Sequence, residues 1–184
     1  MTLLDEQVVV FITGISASGK STVADLLARR FARGVHVRGD VFRRMVVAGR
    51  EEMTAAPSGA AWRQLRLRYR LGAATADAYY GEGFSVVVQD IVIGPEVIDY
   101  IEAIRSRPLI AVVLAPRPEV VAQREAERRK VAYRDGSPSI AALDATLRHE
   151  TPPIGMWLDT SDETPEQTVD QIIRRSPLEG RLPT

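Results

Sequence analysis

Apolar runs too short for helices recur along the chain, each followed by a longer stretch with helical spacing. Residues 8–12 (VVVFI), 84–88 (FSVVV) and 109–115 (LIAVVLA) are nearly continuous and rich in β-branched side chains. Such runs mark strands covered on both faces. Val35 and Val37 alternate with His36 and Arg38, which predicts a shorter strand ending near Asp40. Residues 156–161 (MWLDTS) supply a last short strand. Between these lie helical patterns at 24–32, 41–50, 58–80, 96–107, 119–134, 139–150 and 168–175. Gly49 closes the second of these, and Gly72 is a soft spot in the third. Thr164, Pro165 and Gln167 read as N-cap, N1 proline and capping-box partner of the last. Residues 176–184 are expected to be a flexible tail. Strand and helix in alternation predict an α/β fold with one doubly wound, five-stranded parallel sheet.

The first strand breaks into a loop that spells G-x-x-x-x-G-K-S, with Gly14, Gly19, Lys20 and Ser21 at the defining positions. Glycines let the backbone N–H groups turn inward around a polyphosphate, and the following helix aims its positive end at the same place. Ser16, Ala17, Ser18 and Thr22 complete the loop. Lys20 would reach the β- and γ-phosphates, and the Ser21 hydroxyl would sit on Mg²⁺. Lysine occurs only at 20 and 130, so Lys20 is not drawn from a common pool. A nucleotide phosphate site after the first strand specifies a P-loop NTPase-type three-layer sandwich, with residues 117–150 as a helical lid.

Other candidates lie at strand ends, where parallel sheets place their ligands. Asp40 can cap the helix that follows it, and a carboxylate there can also accept the proton of an attacking hydroxyl. Arg43 and Arg44, one turn on, can hold an anionic group or steer that carboxylate. Asp90 closes the third strand at the position where P-loop proteins hold Mg²⁺. Gln89 points to the opposite side, so either of the two can face the site. Arg124 and Arg128 are four apart on one face. Glu125 and Glu127 can neutralise them, or the pair can close over transferred phosphate. On the long helix, Trp62, Leu65 and Tyr69 make one apolar stripe, and Leu67 and Leu71 an adjoining one. Arg63, Arg66 and Arg70 follow another face. That face reads as solvated, with a nucleic-acid platform or an acceptor pocket as the alternatives. Residues 160–163 are a place for adenine to rest.

Composition removes several classes. There is no cysteine, which excludes thiolate catalysis and Cys-type metal centres. His36 and His149 are too scattered to bind metal. Net charge is zero, with 24 basic and 24 acidic residues, so no global field gathers nucleic acid or membrane. The first residues are acidic where a signal peptide is basic, and no apolar run reaches spanning length. A cytoplasmic enzyme of 184 residues in one domain, as monomer or homodimer, is the expectation.

Together these residues resemble the small P-loop kinase group, which includes chloramphenicol phosphotransferase, gluconate and shikimate kinases and the kinase domain of polynucleotide kinase. The resemblance is carried by GISASGKST, by the Asp40-x-x-Arg43 step and by Arg124 and Arg128. It implies that Asp40 activates the acceptor hydroxyl, that Arg43 binds acceptor groups, and that Arg124 and Arg128 clasp nucleotide phosphates. The Asp-x-Asp of shikimate kinases is missing, since Val41 and Phe42 follow Asp40. ATP and Mg²⁺ are the implied cofactors, and a small-molecule hydroxyl, of an antibiotic or metabolite, the implied acceptor. A polynucleotide 5′-hydroxyl or nucleotide kinase is the alternative within this class, and a non-catalytic nucleotide-binding module outside it. A Ras-type switch is excluded, because its Asn-Lys-x-Asp motif needs an asparagine and the chain has none.

Overall fold

The computed structural model describes residues 2–127 and 137–183. Its strands are β1 (Val9–Thr13), β2 (Gly34–Arg38), β3 (Ser85–Gln89), β4 (Leu109–Leu114) and β5 (Met156–Leu158), in the spatial order β2-β3-β1-β4-β5 and all parallel. β1, β3 and β4 are buried along their whole length, as their continuous apolar runs require. Alternate side chains of β1 feed two cores. Val9 and Phe11 face one, with Tyr69, Val97 and Tyr100. Val10 and Ile12 face the other, with Val23, Leu27, Val169 and Ile172. Burying each such large aliphatic or aromatic side chain contributes about 1.5–3 kcal/mol.

Helices cover both faces, which makes the three layers. α1 (Lys20–Ala28) and α7 (Pro165–Glu179) lie on one side. α3 (Gly59–Gly81) and α4 (Glu96–Ala103) lie on the other. α2 (Gly39–Arg44), α5 (Pro118–Ala126) and α6 (Ile140–Ala145) stand nearer the carboxyl ends of the strands, and a π-helical turn, Thr146–Glu150, extends α6. Among the described residues, no helix is long and apolar enough to cross a membrane.

Several elements differ from the sequence expectation. α2 begins earlier, at Gly39, and stops at Arg44 instead of running to Gly49. Arg38 takes the N-cap position, so Asp40 sits inside the first turn and does not cap it. The expected extension carries Met45 and Val47, which are 64% and 95% exposed. With little to pack those side chains against, nothing offsets the ordering cost of another helical turn. Gly72 does not weaken α3, which is continuous; it makes room for the Tyr100 hydroxyl, 3.1 Å from where a Cβ would stand. Leu67 and Leu71 are exposed and form no second buried stripe.

The tail expected to fray is docked. α7 continues through Pro177 to Glu179, Ala111 N–H donates to the Gly180 carbonyl at 2.9 Å, and Leu182 N–H donates to the Leu109 carbonyl at 2.9 Å. Arg181 also pairs with Glu6. The reason lies in the sheet. β5 pairs only with Val112–Leu114, so the first half of β4 has an open edge that residues 180–182 cover. Truncation after Ser176 is expected to lower unfolding free energy by about 2 kcal/mol, read by urea titration, from the lost backbone hydrogen bonds alone.

On β2, His36 is held neutral. Burial and then Arg38 pull its pKa from 6.5 to about 4, against an opposing attraction from Asp25. Arg38 Nε donates to Nδ1 at 3.3 Å, so that nitrogen acts as an acceptor. Between pH 6.5 and about 4 the unfolded chain binds a proton the folded chain refuses. His36 therefore costs no stability above that window and destabilises the fold progressively as pH falls through it. Urea midpoints measured from pH 7.5 to 4 should fall less steeply in His36→Gln than in the parent.

Candidate active site

The loop after β1 closes around its own backbone. Thr13, its last strand residue, donates through Oγ1 to the Val92 carbonyl at 2.6 Å and accepts from Val92 N–H at 3.1 Å, pinning β1 to the chain leaving β3. Gly14 follows at φ +146°, with the Leu114 carbonyl oxygen 2.4 Å from where a Cβ would be. Ala17 is left-handed at φ 63° and Gly19 at φ 96°. For a non-glycine residue that conformation costs roughly 1–2 kcal/mol, here held by the Ser18 N–H bond to the Ile15 carbonyl at 3.2 Å. Lys20, the first residue of α1, is buried and donates through Nζ to the Ile15 carbonyl at 2.6 Å. Ser16, Ala17, Ser18, Gly19, Lys20, Ser21 and Thr22 all line a cavity of about 610 Å³ at the helix amino end.

The far wall of this cavity comes from the end of β3. Gln89 donates through Nε2 to Ser21 Oγ at 3.2 Å, so Gln89 is the one that touches the loop serine. Asp90 also lines the cavity, but its carboxylate turns toward α3. Arg68 grips it in a two-pronged ion pair, Nε donating to Oδ2 at 2.7 Å and Nη2 to Oδ1, and Ile91 N–H adds a bond to Oδ1 at 2.7 Å. Both partners are nearly dry, with side chains 14% and 4% exposed. Burial works against the Arg68 charge, yet Asp90 outweighs it and holds the guanidinium pKa above its ordinary value. Burial, then the charge of Asp90, pushes the neighbouring Tyr69 hydroxyl pKa well up, so it stays protonated and donates to the Ile91 carbonyl at 2.6 Å. Gly39 is obligatory beside the pair, because its Cβ would stand 1.9 Å from Asp90 Oδ2.

Asp40 stands where this cavity meets a second, of about 1330 Å³, and lines both. Ser16, Arg68 and Ile91 share that boundary. Arg44 donates through Nε to Asp40 Oδ2 at 3.0 Å and lines neither cavity. Arg43 lines the second cavity and pairs with Glu52. Arg124 reaches the first from α5 and donates to the Thr160 carbonyl at 2.8 Å. Thr160 and Glu163, from the turn expected to receive adenine, line the same cavity, and Thr160 Oγ1 is buried with no partner. Arg128 lies outside the described residues.

Sequence reasoning missed Arg68. Arg63, Arg66 and Arg70 are indeed exposed. The available signal was register: Ala61, Leu65, Arg68, Gly72 and Ala76 recur at steps of three and four, on the stripe that the fold buries. An arginine on a buried stripe needs a carboxylate partner.

Ser21 and Asp90 are the oxygen donors beside the loop that a magnesium ion could use. A carboxylate offers about four lone-pair sites, and Asp90 spends three. Ser21 Oγ accepts one bond, from Gln89, which leaves its second lone pair for a cation. Among the described residues, no group of three or more acidic or histidine side chains is placed to hold a metal ion, so a metal here would share its shell with phosphate oxygens.

The AAA domain family profile matches residues 9–153. No curated protein matches the sequence. Among solved structures, an unliganded sugar kinase from Janibacter sp. HTCC2649 aligns with a TM-score of 0.64 and 20% identity over 90% of this chain and 92% of its own. The Mycobacterium tuberculosis APS kinase in complex with AMPPNP and APS aligns at 0.66 and 18%, over 91% and 95%. The Deinococcus radiodurans tunicamycin resistance protein aligns at 0.62 and 16%, over 97% and 100%. The chain therefore shares the fold of small P-loop kinases.

Replacing Arg68 with Met strands a buried carboxylate, and unfolding free energy should drop by about 3–5 kcal/mol. Adding Asp90→Asn should recover most of that loss in the same urea titration. A double variant as unstable as the single one would show that the pair is not what fails.

Proposed function

The chain belongs to the AAA domain family, and on that premise we propose that it is a kinase moving the γ-phosphoryl group of ATP to a small-molecule hydroxyl. The observation that carries this reading is the position of Asp40, which lines both the phosphate-loop cavity and the larger cavity beside it. A carboxylate there can reach an acceptor hydroxyl from one side while the donor phosphate lies on the other.

In this reading the acceptor oxygen bonds to the γ-phosphorus as the bond to the ADP oxygen breaks. Asp40 accepts the hydroxyl proton and later releases it to solvent. Arg44 holds and orients the Asp40 carboxylate, and Arg43 faces the acceptor. Lys20 leaves the Ile15 carbonyl for the phosphates, and Arg124 and Arg128 close over them. Such fixed positive groups stabilise charge spread over the transferring phosphoryl oxygens. Gln89 steadies Ser21 through its bond to the hydroxyl oxygen. Ser21 and Asp90 would hold the Mg²⁺, which neutralises phosphate charge. The buried, unpartnered Thr160 hydroxyl is a ready contact for the base.

Asp40→Asn keeps the shape and removes the base. Acceptor phosphorylation should fall by about 10²–10⁴-fold, while ATP affinity, measured by calorimetry, changes little. Phosphorylation that survives this substitution would sink the role of Asp40, and equal loss of ATP binding would make the residue structural.

A further inference from the structure

The second cavity is about twice the size of the phosphate-loop cavity, at roughly 1330 against 610 Å³, and larger than most drug-sized sites. Its walls are mainly apolar, with Phe42, Trp62, Leu65, Tyr69, Ile93 and Leu143 among them. A short polar metabolite would leave most of that surface uncovered.

Its charge is as informative as its size. Among the described residues, five carboxylates line it (Asp40, Glu51, Glu52, Glu96 and Glu150) against three arginines, and Asp40 is itself paired with Arg44. Each arginine touches a carboxylate: Arg43 and Arg50 share Glu52, the second at 3.4 Å, and Arg68 is held by Asp90. Glu51, Glu96 and Glu150 have no arginine partner among the described residues. Glu51 accepts only from the Ser58 hydroxyl, at 3.3 Å, and Glu150 from the Thr146 hydroxyl, at 3.1 Å. An anionic acceptor would meet the carboxylates of Glu51, Glu96 and Glu150, and arginines already engaged with carboxylates. Like charges facing each other across a binding site are a strong means of rejection.

We infer that this cavity takes a bulky, largely apolar alcohol that carries no anionic group, with a protonated amine the favoured polar substituent. The inference rests on the kinase reading for the identity of the cavity as the acceptor lobe. Its content is different: hydroxy acids, sugar phosphates and nucleic-acid ends are rejected by these carboxylates, and apolar bulk supplies the affinity.

The test uses the full chain and three hydroxymethyl-biphenyl compounds that differ only in an aminomethyl, a carboxamide or a carboxylate group, with gluconate as a polar anion. Calorimetry should show the ammonium and carboxamide compounds binding about tenfold or more tightly than the carboxylate, and gluconate weakest. In Glu96→Gln/Glu150→Gln the gap between ammonium and carboxylate should shrink to about threefold, with the carboxamide affinity unchanged. Tighter binding of the carboxylate or gluconate would overturn the inference. So would an unchanged gap in the double variant, or no binding by any biphenyl compound. Phosphorylation with ATP and Mg²⁺ is read separately by mass spectrometry. The predicted binding order without any phosphorylated product would leave this inference standing and defeat the kinase reading.

Discussion

The buried ion pair between Arg68 and Asp90 ties a helix to the sheet where the two cavities meet. One partner comes from the middle of α3, the other from the end of β3, and both are nearly out of water. A buried charge is tolerable only with a close partner, so the position of α3 against the sheet is set at this point. The pair also dictates a glycine at 39, and so the path by which α2 begins. Asp40 follows that glycine directly. The junction between the two cavities is thus placed by a contact made one residue away from it.

The phosphate loop depends on a different economy. Its apolar supports are strong: β1 is fully buried, and Thr13 fastens it to the segment after β3. That rigid frame lets the loop keep Ala17 in a left-handed conformation and Lys20 folded onto a carbonyl. Both cost free energy locally, and both leave the backbone N–H groups and the ammonium close to where phosphate charge would arrive. A mobile loop would have to be ordered at each binding event.

Much of this could be read from the chain before its structure. The buried strands announce themselves because a strand covered on both faces has no polar alternation to confuse it. The phosphate loop is equally plain, since its geometry is local and its glycines are demanded by backbone conformation. Gln89 and Asp90 were harder. Alternation along a strand says that they face opposite ways, but not which one meets the loop. The structure joins Gln89 to Ser21 and gives Asp90 to Arg68.

What the sequence by itself determined was the set of elements, the parallel order of sheet and helix, and the loop that would cradle phosphate, because each arises from interactions within a few residues or from simple periodicity. What only the tertiary structure decided was the partner of each charged or polar group brought together from distant segments. Arg68 with Asp90 spans 22 residues, and Ala111 with Gly180 joins a strand to a tail that looked free. The helix after Asp40 ended early because its apolar side chains found nothing to cover them. Long-range pairing and the supply of packing surface leave no periodic trace in a chain, and they are what made the second cavity apolar and lined it with carboxylates.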